Sequence, residues 1–114
     1  MDLKAVSAEY IDVDDALKRI GGNVELYKKL LKRYADGSQL TELENVLQEG
    51  NTEEAARVTH TIKGVSANLS LVKIRTIAVE MEQLLTGGLD HSAKLAEFKQ
   101  ANDETLRIIT EILG

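Results

Sequence analysis

Residues 52–69 read TEEAARVTHTIKGVSANL, and the spacing of their apolar letters decides how the chain must fold. At 100° per residue, Ala55, Val58, Ile62, Val65 and Leu69 fall at i, i+3, i+7, i+10 and i+14 and make one narrow apolar stripe. That pattern predicts a helix from Thr52 to about Asn68 with the stripe facing a core. Asn51 or Thr52 is placed to cap its start, and Glu53 and Glu54 lie in the first turn, where the macrodipole favours acids. A helix with one apolar stripe cannot bury it alone, so the rest of the chain has to supply partners.

Working outward, the partners are helical. Asp12 to Asp15 lead a short helix through about Ile20, and Gly21-Gly22 stop it. Residues 1–12 show no strong period and are read as a loosely attached lead-in. Asn23 is positioned as an N-cap, with Val24, Tyr27, Leu31 and Tyr34 following at helical spacing. Gly37-Ser38 interrupts, and the stripe of Leu40, Leu43 and Leu47 that follows is out of phase. The segment 23–49 is therefore one kinked helix or two. Gly50 ends it. Beyond the central helix, Leu71, Ile74, Ala78, Met81 and Leu85 stripe a helix over roughly 71–86. Gly87-Gly88 turns the chain, and Asp90 or Ser92 caps a last helix with Leu95, Phe98, Ile109 and Ile112 on one face. Asn102 falls within that face and reads as a register-setting polar residue.

Four long amphipathic helices with short connections bury their stripes best as an all-α, antiparallel, up-and-down four-helix bundle, here with a short N-terminal helical extension. Composition agrees. There is no proline to break a helix, and with one Phe and no Trp the core must be built from Leu, Ile, Val and Ala. A hydrophobic fraction of 43% argues against global disorder. No repeat, low-complexity segment or linker is visible, and residues 1–114 are read as a single domain.

Several function classes lose support at once. There is no cysteine, so neither disulfides nor thiolate metal sites are available. No apolar run approaches the roughly 20 residues of a membrane span, and no signal peptide is recognisable, so a cytoplasmic location without membrane contact is expected. The net charge of −5, with no basic block, speaks against nucleic acid. No cofactor or metal site is expected: His91 is the only other histidine, and no ligand spacing surrounds His60.

The chemistry sits on the side of the central helix that turns away from its stripe. His60 lies two residues past Val58 and so points outward, among Ala56, Lys63, Gly64 and Ala67. An outward face normally carries long polar side chains; this one is nearly bare. Glycine within a helix costs about 1 kcal/mol relative to alanine, and on an outward face no packing requires it. The compensating gain is close approach by something outside the chain, one turn beyond His60. Neutral imidazole is a nucleophile near neutral pH and can accept a phosphoryl group. Lys63, one turn along, can neutralise the charge of an arriving phosphate.

The run from His60 through Lys63 and Gly64 to Asn68 and Leu69 resembles the H-x-x-K-G-x-x-x-N-hydrophobic signature of histidine-containing phosphotransfer (HPt) domains. The stretch from Ala16-Leu17 to Gly21-Gly22, with Glu25-Leu26-Tyr27 and Leu30-Leu31, is similar to their helical lead-in. The resemblance covers nearly the whole chain, with the His60 segment its diagnostic part. It implies a four-helix bundle in which His60 is the phosphoacceptor and Lys63 and Gly64 shape the docking site. It also implies a polar side chain on the following helix that holds the imidazole, and an ungapped count lands on Glu82. Two positions depart from the family: Ser70 stands where glycine is usual, and Thr59 where alanine is frequent. Ser70 is expected to cap the next helix.

On that resemblance the chain is a monomeric phosphorelay carrier, not an enzyme in its own right. It has no glycine-rich nucleotide loop and no room for a catalytic ATP domain. Donor and acceptor are expected to be response-regulator receiver domains, a hybrid sensor histidine kinase, or both, with Mg²⁺ held by the receiver. Two rival readings remain at this point: a helical interaction module that is never phosphorylated, and the phosphoacceptor domain of a larger chemotaxis-type kinase.

Overall fold

The computed structural model describes residues 7–37 and 39–114 and contains six helices: α1 (Val13–Arg19), α2 (Val24–Asp36), α3 (Gln39–Gln48), α4 (Thr52–Leu69), α5 (Val72–Thr86) and α6 (Ser92–Leu113). The segment 23–49 is thus two helices. Ser38, part of the expected interruption, lies outside the described residues, as do residues 1–6 of the lead-in.

The chain is an all-helical bundle whose four legs are α2 with α3, then α4, α5 and α6. Polar contacts give the directions. Tyr27 donates to the carbonyl of Leu69 at 2.8 Å, while Glu42 lies 3.9 Å from Arg57, so α2 and α3 together run antiparallel to α4. Tyr34 donates to Asn102 at 2.7 Å, and Lys99 meets Glu44 at 3.4 Å, which sets α6 antiparallel to the same leg. Asn102 is accordingly a half-buried seam residue tying α2 to α6. Short turns at 70–71 and 87–91 make α4, α5 and α6 successive antiparallel neighbours.

Local signals explain most boundaries. Asn23 and Asn51 each accept a hydrogen bond from the amide three residues on, at 3.0 and 3.1 Å. Gly50 turns the chain at φ +75°. Leu71, Ile74, Ala78, Met81 and Leu85 are all buried, as the period required, and Ile77 joins them. In α4 the buried strip is broader than the apolar letters suggest. Thr59 and Ser66 are fully buried, and Val65 is only half-buried. Both hydroxyls donate back into their own helix, Thr59 to Ala55 at 2.8 Å and Ser66 to Ile62 at 2.7 Å, so neither is left unpaired in the core.

Four expectations are corrected. The lead-in is anchored where it is described: Ile11 is buried, and the amide of Asp12 donates to the carbonyl of Ser70 at 2.9 Å. The N-cap position of α6 is occupied by His91, half-exposed and without a side-chain cap bond; Asp90 instead accepts from the amide of Ser92 at 3.0 Å. Ala56 and Ala67 are half-buried instead of fully outward: Ala56 packs against the core, and Ala67 lines a groove shared with α1 and α5. Ser70 does not cap α5, whose N-cap position is Leu71. It closes α4 in the left-handed conformation, φ 55° and ψ 40°.

That last conformation explains why glycine would suit the position. An L side chain there costs roughly 1 kcal/mol or more. Ser70 offsets part of that cost by donating to Asp15 at 2.7 Å, and this hydroxyl, with Arg19 behind it, holds the Asp15 carboxyl below its ordinary range. Ser70→Ala and Ser70→Gly both lose the hydroxyl, but only glycine relieves the backbone. Ser70→Gly is expected to be more stable than Ser70→Ala by roughly 1 kcal/mol. Equal midpoints in paired thermal melts would remove the strain from this account.

Candidate functional site

The site stands on α4 where it runs beside α5. Burying Ala55, Val58, Ile62 and Leu69 turns the opposite side of α4 outward, and His60 lies on it with its side chain 70% exposed. Antiparallel pairing then brings Glu82 of α5 alongside. One carboxylate receives two partners: His60 Nδ1 lies 2.9 Å from Glu82 Oε2, and Lys63 Nζ donates to Glu82 Oε1 at 2.8 Å.

Three of the four residues singled out in the sequence therefore meet in one hydrogen-bonded cluster. Lys63 takes up a different posture from the freely outward one expected of it. It is half-buried and extends to α5, drawn by the carboxylate. The Lys63 ammonium is the main cause holding the Glu82 carboxyl below the usual carboxylate range. Partial burial pulls the other way, and the contact with His60 adds to the lowering. The sign follows for stability. A carboxyl with a lowered value contributes fully above its ordinary value, near 4.5, and loses that contribution as pH falls through the folded value.

The ionised carboxylate also decides the tautomer of the ring. A carboxylate can only accept, so the 2.9 Å contact requires the proton on Nδ1. In the neutral ring, the lone pair then belongs to Nε2, on the far edge of the imidazole and turned away from Glu82. No hydrogen bond to Nε2 forms among the described residues. An imidazole held at one nitrogen and bare at the other is arranged for nucleophilic attack, or for general-base work, from Nε2.

Gly64, one turn from His60, completes the cluster's surroundings. A Cβ placed there would meet nothing within 4 Å. The position is open space, and no packing of the bundle calls for glycine. Among the described residues, no group of three or more His, Asp or Glu side chains could hold a metal ion, and no helix is long and apolar enough to cross a membrane.

Sequence reasoning passed over the joint grip of Glu82 on His60 and Lys63. The ungapped count pointed to Glu82, but periodicity along one helix carries no information on which residue of the next helix stands opposite.

A protein-family model described as Hpt domain matches residues 37–112 of the chain. Neither the curated proteins nor the solved structures yield a match.

Proposed function

The chain belongs to the Hpt domain family, the phosphotransfer carriers of two-component signalling, and from that premise we propose that His60 is the residue that carries the phosphoryl group. The observation that supports this most is the grip of Glu82 on Nδ1, which leaves Nε2 as the nucleophile on an open helix face. Residues 1–114 act together as one carrier.

The transfer runs in these terms. The donor is an aspartyl phosphate on a receiver domain. The Nε2 lone pair attacks phosphorus in line, an N–P bond forms, and the P–O bond to the aspartyl carboxylate breaks, so that the aspartate leaves as a carboxylate. The proton stays on Nδ1. Once Nε2 is phosphorylated the ring carries positive charge, which the Glu82 carboxylate stabilises at 2.9 Å. Lys63, already beside the site, turns from Glu82 toward the phosphoryl oxygens. In the reverse direction the same contacts return the group to an aspartate. The divalent cation for this chemistry belongs to the receiver.

The test is incubation of the full chain with a panel of phosphorylated receiver domains and Mg²⁺. Label that is acid-labile and base-stable is expected on the chain. A chain that binds its receiver and stays unlabelled would make it an interaction module and overturn the proposal.

Lys63 has a prediction of its own. Lys63→Ala is expected to slow transfer, because the site loses the cation nearest the phosphoryl group. Stability should change by about 1 kcal/mol at most, since the ion pair with Glu82 is partly exposed. Unchanged transfer and phosphohistidine hydrolysis rates would leave Lys63 only its pairing with Glu82.

A further inference from the structure

Helix α1 precedes the residues 37–112 that the family model matches, yet it lies against the same helix that bears His60. Asp15 accepts from Ser70, and the amide of Asp12 donates to the Ser70 carbonyl, which pins α1 across the C-terminal end of α4. Its last residue, Arg19, borders two grooves, one on each flank of α4. The groove toward α2, of about 540 Å³, runs past Arg33, Val65 and Asn68. The groove toward α5, of about 420 Å³, runs past Ala67 and Arg75, with Asp12 and Asp15 at its α1 end. Ala67 and Asn68 stand seven and eight residues beyond His60, roughly 11 Å along the axis, with Gly64 between.

The arginines are concentrated there. The chain carries a net charge of −5 and five arginines, and three of the five border these two grooves. The other two lie away from these grooves and pair with acids, Arg57 with Glu54 and Arg107 with Glu104 and Glu111; Arg19 is paired in the same way. Arg19 contacts Asp15 at 3.1 Å, whereas Arg33 and Arg75 are exposed and make no ion pair among the described residues. Three helices, α1, α2 and α5, thus deliver guanidinium groups to an arc at one end of the His60 face.

We propose that Arg19, Arg33 and Arg75 form a cationic rim that docks an acidic surface of the partner receiver domain and governs which receiver is accepted. This rests on the reading of His60 given above. A partner that holds a phosphoryl group on aspartate beside a divalent cation has to gather carboxylates around that site, because such cations take oxygen ligands. The bare strip at Gly64 lets that surface approach, and the rim meets what surrounds it. Guanidinium groups suit the task, since they pair with carboxylates in a planar, two-point geometry and remain charged throughout. Charges at a rim act chiefly on encounter and on the exclusion of wrong partners, so they should affect apparent affinity in transfer more than the chemical step.

The test compares transfer from a receiver that labels the wild-type chain with labelling by phosphoramidate, a small donor that needs no docking. Arg33→Glu with Arg75→Glu, and the same pair with Arg19→Glu, are expected to raise the apparent KM for the receiver on the order of tenfold or more. The salt dependence of transfer should weaken, while phosphoramidate labelling and thermal melting stay at wild-type levels. A KM within about twofold of wild type in normally folded variants, where charge reversal at a docking rim should cost far more, overturns the rim and leaves His60 untouched. Equal loss of labelling from both donors also overturns it, because the effect would then lie at His60. Failure of phosphoramidate and of every phosphorylated receiver tried to label the wild-type chain overturns the His60 reading, and the rim with it.

Discussion

A chain with His60→Gln is expected to accept no phosphoryl group from any receiver while folding as the wild type does. The loss should be complete, because glutamine offers no nitrogen lone pair that can attack phosphorus. Folding should be spared because the side chain is 70% exposed and contributes no core packing; a change within about 0.5 kcal/mol is typical at such positions. His91 provides the internal control. It is half-exposed at the start of α6, and it is absent from the contacts Glu82 makes. His91→Gln should therefore keep full label. Acid-labile phosphate persisting on His60→Gln, or lost from His91→Gln, would move the phosphoacceptor elsewhere. Circular dichroism melts on both variants separate a chemical loss from a folding one.

Gly64 should yield the second large effect, with stability and transfer moving apart. A Cβ at this position meets nothing within 4 Å, so Gly64→Ala should stabilise α4 by up to about 1 kcal/mol from helix propensity alone. Gly64→Gln should also melt near or above the wild type. Its long side chain would stand one turn from His60, in the path of a docking partner, and transfer from the receiver should fall sharply. Labelling by phosphoramidate should persist, since the small donor reaches Nε2 without a flat surface. A destabilised Gly64→Ala would mean that another element covers this face. Full-rate transfer to Gly64→Gln would mean that the partner approaches from a different side.

Much of this was legible in the sequence because helices are read by local rules. The stripe of Leu71, Ile74, Ala78, Met81 and Leu85 is buried throughout, Asn23 caps the helix it was expected to cap, and of the two candidates Asn51 and Thr52 it is Asn51 that caps α4. The outward aspect of His60 follows from 100° geometry within a single helix, and the His60–Leu69 signature pointed to the family whose model matches residues 37–112.

Local rules fail where a second element or a backbone angle intervenes. Thr59 and Ser66 count as polar letters, yet each satisfies its hydroxyl on a carbonyl of its own helix and becomes core. Ser70 reads as a cap, but the direction in which the chain must leave α4 puts it at φ 55°. What the sequence by itself determined was the helices, their buried stripes and the outward aspect of His60, all consequences of a period of 3.6 residues and of side chains that reach no further than four positions along the chain. Only the tertiary structure decided that Glu82 holds His60 and Lys63 on its two oxygens, and that Arg19, Arg33 and Arg75 border the two grooves at one end of α4. Those placements depend on helices whose relative register is set by packing across the core, and no spacing along the chain encodes it.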